Sequence, residues 1–237
     1  MKEQIYNLQS VANSSASDRA GFIRRTYAHL AVAILAFIAI EYYLVYSPFA
    51  ASLASSMTGG MSWLVVIGLF MGVSYIANKL AVSQTSQQMQ YLGLALFVVA
   101  EAIVFLPLLY IATIYGGDGV IASAGMMTLL LVGGITATVF ITKKDFSFMG
   151  SFLSMGGFVA LGFILCSMIF GFSLGLIFAS VMVVFAGGAV LYSTSNVLHQ
   201  HSTDQHVAAA LSLFASVALL FFYILQVLMS LGGGGDD

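Results

Sequence analysis

Apolar residues run along this chain in long, unalternating stretches separated by short polar or charged breaks. A barrel strand would alternate every second residue, whereas a run of about 20 apolar positions matches a membrane-crossing helix. Reading between charges and turn signals predicts seven spans, at roughly 26–46, 60–78, 90–114, 119–142, 147–168, 173–193 and 205–230. From Phe146 to Thr203 no formal charge occurs. That is too long for one crossing, so a hairpin must divide it, and Phe170, Gly171, Phe172, Ser173 is the candidate turn.

Composition supports helices in lipid. Of 237 residues, 60% are hydrophobic and 7% charged, and the mean hydropathy is +1.03, which leaves too little polar surface for a water-soluble fold. Disorder is excluded by hydrophobicity, and nucleic-acid binding by a net charge of -2. The single cysteine, Cys166, excludes a disulfide framework and a thiolate metal cluster.

The seven basic residues test the span count independently, because loops on the cytoplasmic side are enriched in Lys and Arg. With the N-terminus inside, Lys2, Arg19, Arg24, Arg25, Lys79, Lys143 and Lys144 all fall on the cytoplasmic side. The chain then divides into a cytoplasmic N-terminal segment (1–25), a seven-helix transmembrane domain (26–230) and a flexible, acidic tail outside (231–237). The first apolar run carries Glu41 and no small-residue cleavage site follows it, so it reads as a retained span. The loops near 47–59, 79–89 and 194–204 read as simple connections.

Ionisable groups at bilayer depth mark functional candidates. Glu101 lies near the middle of span three among Phe97, Val98, Val104 and Phe105, with no basic residue predicted at its depth. It reads either as a proton- or cation-sensing carboxyl or as a neutral acid hydrogen-bonded to another helix. Pro107 frees the carbonyl of Ile103 close by. Glu41, followed by Tyr42, Tyr43 and Tyr46, reads as an acid snorkelling to an aromatic belt, or else as a pore-mouth group.

Span seven carries a stripe of Gln205, Ala209, Ser212, Ser216, Tyr223 and Gln226 opposite the apolar Leu211, Phe214, Leu225 and Leu228. The stripe should face other helices, as interhelical glue or as one wall of a hydrated path. Ser202 and Gln205 predict a capping box, and Asp204 places a favourable charge at that helix start and counts among the candidate pathway or pH-sensing residues. His199, His201 and His206 read as a solvated, pH-responsive loop rather than a metal site. Small residues at Gly133 with Gly134, Gly171 with Gly175, and Gly187 with Gly188 suit close helix approach. No metal, cofactor or enzyme motif stands out.

Three segments carry a family resemblance. They are Phe22-Ile23-Arg24-Arg25-Thr26-Tyr27, Thr142-Lys143-Lys144-Asp145-Phe146-Ser147, and Leu191-Tyr192-Ser193-Thr194 followed by Asp204 and Val207 to Leu211. Over essentially the whole chain the sequence resembles the Bax inhibitor-1 family, most closely its bacterial YccA-like branch. The resemblance implies two triple-helix layers around a central C-terminal helix, in a bacterial inner membrane. It also implies a calcium leak or pH-sensitive cation conduction that depends on two aspartates, whose places here are taken by Ser193 and Ser216. A hydroxyl cannot titrate at physiological pH or bind a divalent cation as a carboxylate does, so the fold carries over and the aspartate mechanism does not. The branch is also associated with a membrane-anchored AAA protease, which makes a non-conducting modulator of membrane-protein turnover the alternative. A small-solute transporter is disfavoured, since no matched pair of broken helices appears. The expected partners are the lipid bilayer, calcium or protons, and that protease. The oligomeric state is open.

Overall fold

The structure is a computed structural model that describes residues 11–58, 62–83 and 86–232. Lys2, the first ten residues and the Gly-Asp tail after Gly232 lie outside the described residues, so the expectations placed on them have no counterpart here. A short 3-10 turn (Val11–Asn13) precedes eight α-helices: α1 (Ala16–Val45), α2 (Ala50–Thr58), α3 (Ser62–Ala81), α4 (Gln87–Tyr115), α5 (Val120–Thr142), α6 (Met149–Phe170), α7 (Gly175–His199) and α8 (His206–Gly232). All but α2 are long and apolar enough to cross a membrane.

Three boundaries differ from the hydropathy reading. The α1 helix begins ten residues before the expected span, where the Ser15 hydroxyl accepts the Asp18 N–H at 3.2 Å. Helical hydrogen bonds continue into water once a cap starts them, whereas hydropathy sees only the part in lipid. Thr26–Val45 alone spans about 30 Å, so the first turns of α1 carry Arg19, Arg24 and Arg25 beyond it. The α7 helix likewise runs on past Ser193 to His199. The loop after α1 folds as α2, whose Ala50, Ala54 and Met57 are buried and whose Ser52, Ser55, Ser56 and Thr58 hydroxyls donate to carbonyls of the preceding turn.

The long uncharged stretch divides where expected. Gly171 caps α6 in the left-handed region at φ 71°, its N–H donating to the Ser167 carbonyl at 2.9 Å. Gly175 opens α7 at φ 64°. A side chain with a Cβ rarely takes this conformation, which is why the turn falls on these glycines.

The layers follow from the packing. One layer is built on α4, which touches α1 and α3, and the other on α7, which touches α5 and α6. The α8 helix touches α1, α3 and α4 from one layer and α5 and α7 from the other, so it forms the centre. Leu211, Phe214 and Leu225 are buried there along with Ser216 and Tyr223. The polar stripe and the apolar side of α8 are thus both packed against other helices, as its central position requires. At the other extreme, α6 exposes Phe152, Phe158 and Phe163 to the bilayer.

Of the paired glycines only Gly187 and Gly188 meet a neighbouring helix, a Cβ on Gly188 standing 3.3 Å from the Met149 side chain. A Cβ on Gly133 or Gly134 would meet nothing within 4 Å, whereas a Cβ on Gly93 would stand 2.5 Å from the Ala77 carbonyl oxygen. The α3 and α4 helices cross backbone to backbone at that point, and the Gln90 amide locks the turn between them by donating to the Ser83 carbonyl at 2.8 Å.

The helix directions bring one end of the bundle together. Rings of His29, Tyr91 and His206, from the first turns of α4 and α8 and the lower part of α1, meet at 5.0 to 5.4 Å. The last turns of α5 and α7 join them through Tyr27 against Phe140 and Phe146 against Ser195. Every described Lys and Arg belongs to this end: Arg19, Arg24 and Arg25 on α1, Lys79 at the end of α3, and Lys143 and Lys144 after α5. This is the basic end of the bundle.

Candidate functional site

The polar stripe of α8 faces α7. Ser193 on α7 and Ser216 on α8 stand 2.7 Å apart, oxygen to oxygen, and both are buried. The Ser216 hydroxyl also donates to the Ser212 carbonyl at 2.9 Å. Its one proton being used there, Ser193 is left as donor to Ser216, and the pair forms a directed chain from α7 through Ser216 into the α8 backbone. Tyr223, two turns further along the stripe, packs edge-on against Phe178 of α7 at 6.2 Å. At the basic end of this seam the Ser195 hydroxyl accepts the Phe146 N–H at 2.8 Å, which ties the Lys-Asp-Phe turn to α7. Asp145 in that turn accepts the Ser147 N–H at 2.8 Å. Its carboxyl is held below the ordinary aspartate range, first by that backbone N–H and then by the Ser147 hydroxyl, His199 and Ser195, against a smaller effect of burial.

A second seam lies on the other side of α8. Phe214 is two residues from Ser216, about 200° around the helix, and meets Phe97 of α4 at 6.2 Å and Phe37 of α1 at 5.9 Å. Phe37 in turn meets Phe105 at 5.1 Å. Glu101 sits on α4 one turn from both Phe97 and Phe105, so these four rings surround its level in the bundle. It is 8% exposed, and among the described residues no hydrogen bond reaches its carboxyl. The aromatic packing continues from Phe105 to Phe221 and Phe222 at 6.0 and 5.2 Å.

Beyond that layer, at the end opposite the basic residues, a cavity of about 500 Å³ opens between α1, the end of α4 and the start of α5. Phe37 and Phe221 line it from the aromatic layer, and Glu41 and Asp118 are its acids. Here the snorkelling expectation fails. Glu41 shares the buried face of α1 with Phe37 and Val45, is 5% exposed, and has both carboxylate oxygens buried without a hydrogen-bond partner among the described residues. Tyr42, Tyr43 and Tyr46 are exposed and form the aromatic rim alone. The helical period decides this: Glu41 lies four residues from Phe37 and four from Val45, so it must follow them inward.

The candidates therefore do not converge on one cavity. Ser193 and Ser216 are together on the α7 side of α8, Glu101 is among aromatic rings on the α4 side, and Glu41 is at the cavity. Asp204 is exposed in the turn before α8, where the Gln205 side chain accepts the Ser202 N–H at 3.1 Å, one half of the expected capping box; the Gln205 N–H donates to the Ser202 carbonyl rather than its hydroxyl, and α8 begins only at His206. The histidines are packed rather than solvated. His199 lies 3.0 Å from the Ser195 carbonyl, His201 packs on Phe22 at 6.4 Å, and His206 is buried beside His29. Burial pushes the His201 imidazole below its ordinary value, with Gln205 opposing. Two features went unmarked in the sequence: the aromatic layer and Asp118. Phe97 and Phe105, one turn to either side of Glu101 on α4, were a signal for the first, and the Gly116-Gly117-Asp118-Gly119 turn for the second.

The family model for inhibitors of apoptosis-promoting Bax1 matches residues 19–233. The chain belongs to the Bax inhibitor-1 family. Within it, this chain is 32% identical to an uncharacterized protein of Pseudomonas aeruginosa over the full length of both. It is 29% identical to Protein LIFEGUARD 4 of Arabidopsis thaliana, over 88% of this chain and 84% of the relative. Bax inhibitor 1 of Schizosaccharomyces pombe is 28% identical over 95% of this chain and 82% of its own length. Membership of the Bax inhibitor-1 family agrees with the multi-pass helical bundle and its lipid-facing outer helices.

Proposed function

We propose that this Bax inhibitor-1 protein is a non-enzymatic cation leak, closed in the present conformation, whose gate is the aromatic layer next to Glu101. The observation that carries the reading is the alignment along one seam of α1, α4 and α8: a cavity with Glu41 in its wall, and below it Glu101 at the level of the Phe37, Phe97, Phe105 and Phe214 rings. Buried acids without basic partners attract protons or cations, and packed aromatic rings exclude water until they part. The conducted species would be a proton or a small cation such as calcium. The concentration of described basic residues at one end supports a cytoplasmic placement of that end in a bacterial inner membrane, with the cavity outside.

Flux measured in proteoliposomes tests this. Phe214→Ala, or the milder Phe214→Leu, is expected to raise cation flux several-fold, and Glu101→Gln to flatten its dependence on pH. Unchanged flux in all three variants, with helicity intact, overturns the conducting reading. The Ser193–Ser216 bond favours a second reading. It joins α7 to α8 without an ionisable group, as suits a static scaffold that modulates a membrane-anchored AAA protease. That reading expects no flux from any variant, and co-purification with the protease.

A further inference from the structure

The cavity at the end opposite the basic residues has a chemistry of its own. Its volume of about 500 Å³ is that of a small-molecule site rather than of a single ion. Its walls are mainly apolar and aromatic, with Phe37, Phe221, Tyr42 and Tyr46 among them, and its charged residues are Glu41 and Asp118, both acids. All described Lys and Arg residues lie at the far end of the bundle, so no described cation of the protein can neutralise Glu41. Its two carboxylate oxygens are buried and lack hydrogen-bond donors among the described residues. A buried acid without a donor leaves its hydrogen-bonding capacity unused, and a ligand that supplies both charge and donors satisfies it on binding.

Calcium fits this donor set poorly. It takes six to eight oxygen ligands, and here two acids stand on separate elements among apolar walls. The Thr113 hydroxyl, also in the wall, already donates to the Tyr110 carbonyl at 2.7 Å. An ammonium group attached to an apolar body matches better. Its N–H groups would satisfy Glu41, its body would fill the apolar volume, and the phenyl and phenol rings would meet its charge face-on.

We infer that this cavity binds a lipophilic primary ammonium ion, with Glu41 as its buried counter-charge and Asp118 at the entrance. Neither Glu41 oxygen is open to solvent, so binding turns this side chain toward the cavity by a rotamer change, with the backbone of α1 in place. This cavity is also the outer end of the path proposed above, but occupancy can be read on a protein that passes no ions, so the two readings fail separately.

The test uses the full chain in lipid nanodiscs with 4-phenylbutylammonium and its neutral isostere 4-phenylbutanol, read by thermal shift and by calorimetric titration. The ammonium compound should give a saturable rise in Tm and the alcohol none. Glu41→Gln should weaken ammonium binding about 10- to 100-fold, the loss of a charge-assisted hydrogen bond, and Asp118→Asn by a few-fold. Ala122→Phe, at an exposed position in the cavity wall, should abolish binding by filling the space and keeps the test decisive if Glu41→Gln fails to fold. Equal shifts from amine and alcohol, or binding undiminished in Glu41→Gln or Ala122→Phe, would overturn the inference.

Discussion

Removing the hydroxyls of Ser193 and Ser216 one at a time should have unequal consequences. In Ser193→Ala, Ser216 still donates to the Ser212 carbonyl at 2.9 Å and loses only a donor to its oxygen. The cost is that of one intramolecular hydrogen bond, about 0.5 to 1.5 kcal/mol. In Ser216→Ala, the buried Ser193 proton loses its acceptor at 2.7 Å, and the penalty rises to about 1 to 3 kcal/mol unless the hydroxyl turns to the carbonyl one helical turn back. The double variant leaves no orphaned donor and should be less destabilised than the two singles summed. Interhelical hydrogen bonds in membranes average about 0.6 kcal/mol by such cycles, with a maximum near 1.7, so a coupling of about 0.5 to 1.5 kcal/mol is expected here. Reversible unfolding in bicelles, with all four proteins measured under one set of conditions, gives the cycle. Additivity to within about 0.3 kcal/mol would refute the directed bond, and a larger loss in Ser193→Ala than in Ser216→Ala would refute its direction.

Other outcomes follow from the same geometry. Gly93→Val should destabilise by about 1 to 3 kcal/mol or more, because the added carbons meet the Ala77 carbonyl and the Ala81 backbone nitrogen rather than a movable side chain; the same unfolding assay reads it. Gly171→Ala should cost about 1 to 2 kcal/mol from its left-handed φ alone. For Asp145 the carboxyl is lowered in the folded state, so the stabilisation it gives is present above the ordinary aspartate range and is lost as pH falls through the folded value. Asp145→Asn should accordingly lower Tm at neutral pH and converge on the parent protein in acid; a constant difference at all pH values would remove the charge from the explanation.

Much of the fold was legible in the chain. Apolar runs give helices their number because lipid offers the backbone no partner, and the Gly171 turn and the Ser202-Gln205 cap are local events settled by neighbouring residues. The α2 helix was not legible, because a nine-residue segment rich in serine reads as a loop until Ala50, Ala54 and Met57 are buried against α4 and α3. The candidate site was legible as residue types and less so as an arrangement. Glu101 was marked by its depth, yet the rings that surround it come from three helices. Glu41 was assigned to the rim by its tyrosine neighbours in sequence, although its own face of α1 turns inward.

Span number, the common end of the described basic residues and the identity of the family were properties of the linear sequence, because each depends on short-range hydropathy, charge or motif. Only the tertiary structure decided that Ser193 meets Ser216, that Phe214 on the other side of α8 meets the rings around Glu101, and that Glu41 borders a cavity. Those facts depend on the angle at which each helix presents its faces to α8, and that angle is set by packing among side chains far apart in sequence.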